Sequence, residues 1–265
     1  MGNMAEPSTG QGATILDVRD LVVAYGTRTA VDGISLSIQR GEIFGLLGPN
    51  GAGKTSTLSS IEGLVKPKSG TTTIDGFDVQ QHPFDAKAQM GVQLQASSFQ
   101  SELRIEEIAR LYAGVYGLRL SRTEIEERIR GVGLGDELGK PFKTLSGGQQ
   151  QRLSLLIAVI HQPALLLLDE PTSGLDPQSR RQLWDRIESL RRAGGSILLT
   201  THSMEEAQAV CDRVAIIDHG TILATDTPAN LIKAYAKDPR VLKVARGEVT
   251  LEDVFIGLTG SEIRD

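Results

Sequence analysis

The sequence predicts an α/β fold: a largely parallel sheet with helices on both faces, interrupted by a helical insertion. Three observations carry this. ALLLLD (164–169), SILLTT (196–201) and RVAIID (213–218) are short apolar runs separated by amphipathic stretches, the pattern of doubly covered strands with crossover helices between them. EIFGLLG (42–48) is a fourth such run, and it breaks into a glycine-rich turn. The block 97–160 reads differently, because apolar residues at 105, 108, 111, 112 and 115 keep a helical period.

Taken in order, residues 1–13 are polar and rich in Gly, Ser and Pro, and are expected to form a flexible tail. ILDVRDLVV opens the ordered part near Thr14 and alternates apolar with polar residues, as a half-buried strand does. ISLSI (34–38) alternates again after an expected turn at Asp32–Gly33. A helix is expected from the glycine-rich turn to about Val65, a loop at Lys66, Pro67 and Gly70, then a strand and turn at TTTIDG. Within the insertion, Ser121 and Glu124 stand in capping-box spacing. The α/β pattern resumes at 164 and runs to about 225, and residues 226–265 form a short C-terminal appendage.

The chain has 265 residues, 40% hydrophobic and 23% charged, which is enough for a sizeable core. Its apolar runs, such as Ala164–Leu168, are far short of the ~20 residues that cross a bilayer, so no membrane span is expected. The first residues show neither a secretory leader nor a lipid-anchor pattern. A single cysteine, Cys211, excludes an intramolecular disulfide and fits a reducing compartment. The net charge of −5 argues against nucleic acid as the main partner.

Gly48-Pro49-Asn50-Gly51-Ala52-Gly53-Lys54-Thr55 matches G-x-x-x-x-G-K-[ST], with a buried strand before it and a helix after it. Its glycines let successive N–H groups curl around one anion, at a helix start that favours negative charge. Lys54 would reach the β- and γ-phosphates, and Thr55 would offer its hydroxyl to Mg²⁺. Ser56, next in line, is a further nucleotide-binding candidate. An ordinary strand–helix turn is the plain alternative. Asp169 and Glu170 end the run LLLLDE, where a carboxylate on a core strand needs compensating charge. Asp169 would hold Mg²⁺ through its water shell, and Glu170 would orient or deprotonate the attacking water. Leu145-Ser146-Gly147-Gly148-Gln149 opens another helix with Ser146 and Gln149 in capping-box spacing, a second helix start suited to an anion. One nucleotide does not need two.

At LSGGQ the sequence resembles the ATP-binding-cassette (ABC) ATPases, over roughly residues 14–225 and with the motifs in the family's order. The resemblance implies a P-loop NTPase (RecA-like) core, a mainly helical signature subdomain at about 97–160 and a small antiparallel β element near the N-terminus. It implies two cassettes paired head to tail, with Ser146, Gly147, Gly148 and Gln149 of one closing the ATP site of the other. It makes Tyr25 the aromatic that stacks on adenine, although a core tyrosine at a strand end is the other reading. Gln95 resembles the glutamine that contacts Mg²⁺ or the attacking water, with Gln93 as a competitor. His202 resembles the histidine at the γ-phosphate, followed by Ser203 and Glu206 in capping-box spacing. Ser173-Gly174-Leu175-Asp176 resembles the loop between paired cassettes, and Asp176 before Pro177 is equally a helix start. Arg152 is a further candidate phosphate or partner contact. The activity implied is hydrolysis of ATP with Mg²⁺ by a cassette docked under a separate membrane permease, at the cytoplasmic face of the plasma (inner) membrane. Phe99 to Arg104 would touch that permease or form a solvated loop. TLEDVFIGLTG resembles the ending of bacterial export cassettes. An importer cassette is the alternative, and a soluble ABC ATPase acting on ribosomes or DNA is a more distant one.

Overall fold

The computed structural model describes residues 13–93 and 99–260. Alternating burial makes β1 (Thr14–Tyr25) and β2 (Arg28–Gln39) a hairpin closed by the two-residue turn Gly26–Thr27. The expected turn at Asp32–Gly33 is instead a bulge inside β2. Gly33 takes φ 69°, Val31 pairs with Val23, and Ile34 pairs with Leu21. The extra residue restores the inward face after the bulge, so a period-2 reading breaks there although the strand continues.

β3 (Ile43–Leu47) is buried at every position and leads through the glycine-rich loop into α1 (Lys54–Ile61), which ends before the expected Val65. β4 (Ser69–Ile74) and β5 (Phe77–Asp78) pair antiparallel, and α2 (Pro83–Ala88) precedes β6 (Met90–Gln93). The insertion is helical: α3 (Ile105–Val115), α4 (Arg122–Gly131) and α5 (Gly147–Ala158), with short 3₁₀ turns at Gly135–Glu137 and Phe142–Thr144. α4 carries the reciprocal Ser121–Glu124 cap that the spacing predicts. Then follow β7 (Leu165–Asp169), α6 (Pro177–Arg192), β8 (Ser196–Thr201), α7 (Met204–Val210), β9 (Arg213–Asp218) and β10 (Thr221–Asp226). The chain closes with α8 (Pro228–Tyr235), α9 (Pro239–Leu242) and α10 (Leu251–Thr259).

Two sheets result. The six-stranded sheet has the order β10-β9-β3-β8-β7-β6 and is parallel except for its edge strand β10. The other is antiparallel and four-stranded, β2-β1-β4-β5. Alternate residues of the parallel strands serve two cores. Leu46, Leu167, Leu198 and Ile217 pack with the antiparallel sheet and α1. Leu47, Leu168, Leu199 and Ile216 pack with α6, α7 and the C-terminal helices, where Leu251, Val254 and Phe255 are buried. The apolar face of the C-terminal segment is therefore used inside this chain.

A third cluster, around Ile108, Ile129 and Leu156, holds the helical layer together. Phe99 belongs to it, edge-on to Tyr112 and Phe142 at 5.5 and 5.3 Å between ring centroids. Leu111 and Val115 on α3 are instead exposed, at 55% and 71%. His161 fits no sequence motif and is a packing residue. Its ring stacks on Tyr116 at 3.7 Å, and its Nε2 lies 3.0 Å from the Met90 carbonyl.

Candidate functional site

The C-terminal ends of β3, β7 and β8 meet at a cavity of about 790 Å³, the place where open parallel sheets take their ligands. The glycine-rich loop supplies one wall: Pro49, Asn50, Gly51, Gly53, Lys54, Thr55 and Ser56 line it. Gly51 and Gly53 take φ 82° and 112°, angles that side-chain-bearing residues avoid, and this curls the loop back onto α1. α1 has no capping side chain at Gly53 and no acidic residue in its first turn. Its leading N–H groups are therefore left for an outside acceptor. Gly48 and Ala52 lie beneath the wall, and the Gly48 carbonyl accepts from Lys54 Nζ at 2.6 Å.

Lys54 is 6% exposed and lies 3.7 Å from Glu170 Oε1. Burial lowers its pKa, and the charges of Glu170 and Asp169 oppose that shift. Glu170 takes φ 46°, a sparsely populated angle for a residue with a side chain. Its N–H is held by the Thr200 carbonyl at 3.2 Å and the Thr200 hydroxyl at 3.0 Å. The same hydroxyl donates to Asp169 Oδ1 at 2.6 Å. Thr200 of β8 thus fixes the Asp169 carboxylate and the Glu170 backbone at the end of β7. From the next strand end, His202 brings Nδ1 to 3.3 Å from Glu170 Oε2.

Tyr25 is 50% exposed and lines the cavity, which removes the core-tyrosine reading. Arg28 also lines it, a residue that sequence reasoning missed. The signal was the glycine after Tyr25. A two-residue hairpin turn places Arg28 directly across from the tyrosine.

Not every candidate is gathered here. Gln95 lies outside the described residues. Its competitor Gln93 is 1% exposed and donates to the Gln151 carbonyl at 3.0 Å, so it is held in the core. Asp176 does not line the cavity. It caps α6, accepting from the Gln178 and Ser179 N–H groups at 3.0 Å and from the Ser179 hydroxyl at 2.6 Å, and these bonds hold its pKa below the ordinary range. Ser146, Gly147, Gly148 and Gln149 also lie outside the cavity, at the start of α5. There Ser146 and Gln149 form the expected reciprocal cap, at 3.3 and 2.8 Å. A Cβ on Gly148 would lie 2.6 Å from the Ser179 hydroxyl. Glycine therefore lets the α5 start lie against the Asp176 cap, and the two form one surface apart from the cavity. Arg152 is used internally, donating to the Gly133 carbonyl at 3.0 Å.

Among the described residues no group of three or more His, Cys, Asp or Glu side chains would cage a metal ion. What the cavity offers is the Thr55 hydroxyl and the Asp169 carboxylate. These hard oxygen donors suit Mg²⁺ completed by water and phosphate oxygens.

Beneath the site, Glu62 follows the last turn of α1 and is 4% exposed. Burial raises its pKa to about 7, Asp169 adds to the rise and Lys87 opposes it. A folded-state pKa above the unfolded value of 4.5 gives stability in acid that is lost as pH rises through about 7. Glu62→Gln stays neutral throughout. In the nucleotide-free protein its stability relative to the unmutated chain should rise by roughly 2.5 kcal/mol between pH 5 and pH 8. Denaturant melts of both proteins across that range measure it, and parallel curves would refute the burial of this charge.

Comparison with known proteins bears on the family and the fold. The family model described as ABC transporter matches residues 31–173. The chain is 35% identical to the Nod factor export ATP-binding protein I of Ralstonia nicotianae, covering 98% of both chains. It is 39% identical to the daunorubicin/doxorubicin resistance ATP-binding protein DrrA of Streptomyces peucetius, over 83% of this chain and 68% of that one. A solved structure titled as the ATP binding subunit of an ABC transporter superposes with a TM-score of 0.80 at 30% identity, covering 92% of this chain and 99% of the other.

Proposed function

The chain belongs to the ABC transporter family as an ATP-binding subunit, an ATPase that drives transport, and from that premise we propose how its residues act and what they serve. The observation that carries the reading is the placement of Glu170 between Lys54 and His202, at 3.7 and 3.3 Å, in a cavity walled by the glycine-rich loop. Phosphoryl transfer asks mainly for positioning and charge stabilisation. Tyr25 stacks on the adenine, Arg28 adds positive charge on the same side, and the α1 start with Lys54 holds the phosphates. Glu170 accepts the proton of the attacking water or orients it, His202 holds Glu170 and the γ-phosphate end, and Gln95 contributes from the segment after β6. Bound Mg²⁺, held by Thr55 and Asp169, would neutralise charge on the β- and γ-oxygens.

Ser146 to Gln149, the neighbouring Asp176 loop and the same parts of a second cassette close two sites head to tail. This accounts for a capped helix start outside the cavity. The permease contact includes the exposed pair Leu111 and Val115, one helical turn apart on α3. Among the described residues no helix is long and apolar enough to cross a membrane, which fits a peripheral subunit held at the cytoplasmic face by that permease. The direction is export, supported by relatives named for export and drug resistance. Isolating the chain from its own membranes in mild detergent should bring a multi-span polypeptide with it. Together the two should move substrate outward in an ATP-dependent way. Recovery with ribosomes or DNA alone would overturn the transport reading, and ATP-driven uptake would overturn its direction.

A further inference from the structure

Glu206 sits in the first turn of α7, where spacing predicts that its carboxylate returns to its own helix cap at Ser203. Only half of that cap exists. The Ser203 hydroxyl accepts from the Glu206 N–H at 3.3 Å, but the Glu206 side chain turns elsewhere. Its Oε2 accepts from the Thr172 hydroxyl at 2.7 Å and lies 3.4 Å from the Thr201 hydroxyl. Its Oε1 lies 3.2 Å from Arg180 Nε in the first turns of α6. Glu206 is 7% exposed, and a buried carboxylate is costly unless its partners are worth the desolvation.

The two threonines have one thing in common. Thr172 lies two residues beyond Glu170, and Thr201 immediately precedes His202. The Thr201 hydroxyl also accepts from the Ser203 N–H at 3.0 Å, bracketing the histidine. Glu206 therefore joins the backbone leaving Glu170 to the backbone on both sides of His202. It does not line the nucleotide cavity. We propose that Glu206 is a positioning residue for hydrolysis: by tying Thr172 and Arg180 to the Thr201–Ser203 link, it sets the approach of His202 to Glu170. This rests on the ATPase reading above. Losing the tie leaves the phosphate wall intact, so ATP binding is retained while the geometry of the attacking water is not.

The test uses the full chain with MgATP and compares Glu206→Ala, Glu206→Gln and Thr172→Val, each alone and on a His202→Ala background. Glu206→Ala should lower kcat by roughly 10- to 100-fold, the scale of a misplacement near 1 Å, with KM for ATP unchanged. Glu206→Gln keeps an acceptor for Thr172 and should recover part of that loss. On the His202→Ala background Glu206→Ala should cost little more, because both act through the same histidine. If Glu206→Ala fails to fold, Glu206→Gln and Thr172→Val carry the same comparison. Unchanged kcat, a parallel rise in KM, or equal losses in both backgrounds would each overturn the proposal. If the unmutated protein shows no MgATP hydrolysis, the ATPase reading fails instead, so the two failures are told apart.

Discussion

Replacing Glu170 by Gln should lower ATP turnover at least ~100-fold, the scale of a lost general base, while leaving ATP bound. The change is nearly isosteric. The strained backbone at φ 46° is held by bonds from the Glu170 N–H to Thr200, which the substitution does not touch. What changes is charge. In the nucleotide-free chain the carboxylate lies 3.7 Å from Lys54 Nζ and competes with a triphosphate for it. An amide removes that competitor, so ATP should bind as well or better. A cassette pair that closes on ATP and opens after hydrolysis should then stay closed. Light scattering of Glu170→Gln with MgATP should show a dimer that ADP does not sustain. Turnover at the unmutated rate would remove Glu170 from the chemistry.

Most of this arrangement is legible because its signals are local. β7, β8 and β9 are near-continuous apolar runs, so Asp169 and Glu170 read as carboxylates at a strand end. The caps at Ser121 and Ser146 follow from three-residue spacing alone. The misreadings have physical causes. The bulge at Gly33 mimics a turn because one inserted residue reverses the alternation. Arg28 carries no motif, and its role depends on where a two-residue turn sends the next strand. Glu206 obeys the local cap rule in its sequence and departs from it in the structure, because Thr172 and Arg180 are better-placed partners from segments about thirty residues away. Arg152 reads as a phosphate or partner contact in the sequence, but the turn after α4 supplies its acceptor, the Gly133 carbonyl.

A mixture of two inactive variants should recover activity. Lys54→Ala removes the cation of the phosphate wall, and Gly148→Asp puts a bulky negative side chain at the start of α5. At Gly148 even a Cβ would lie 2.6 Å from the Ser179 hydroxyl. Neither residue touches the other within one chain, since Gly148 does not line the cavity that Lys54 does. If each site is completed by the partner's α5 start, a mixed pair holds one doubly damaged site and one intact site. Random pairing makes half of all dimers mixed, so roughly a quarter of the unmutated activity should return, as the head-to-tail symmetry of the pair requires. A pair that fires only with both sites intact would stay inactive, and the Glu170→Gln change introduced into both variants separates that case. Each mixed dimer should then bind ATP stably at one site, whereas neither variant alone should. No recovery of either turnover or stable binding would mean that the α5 start serves something other than a partner's nucleotide.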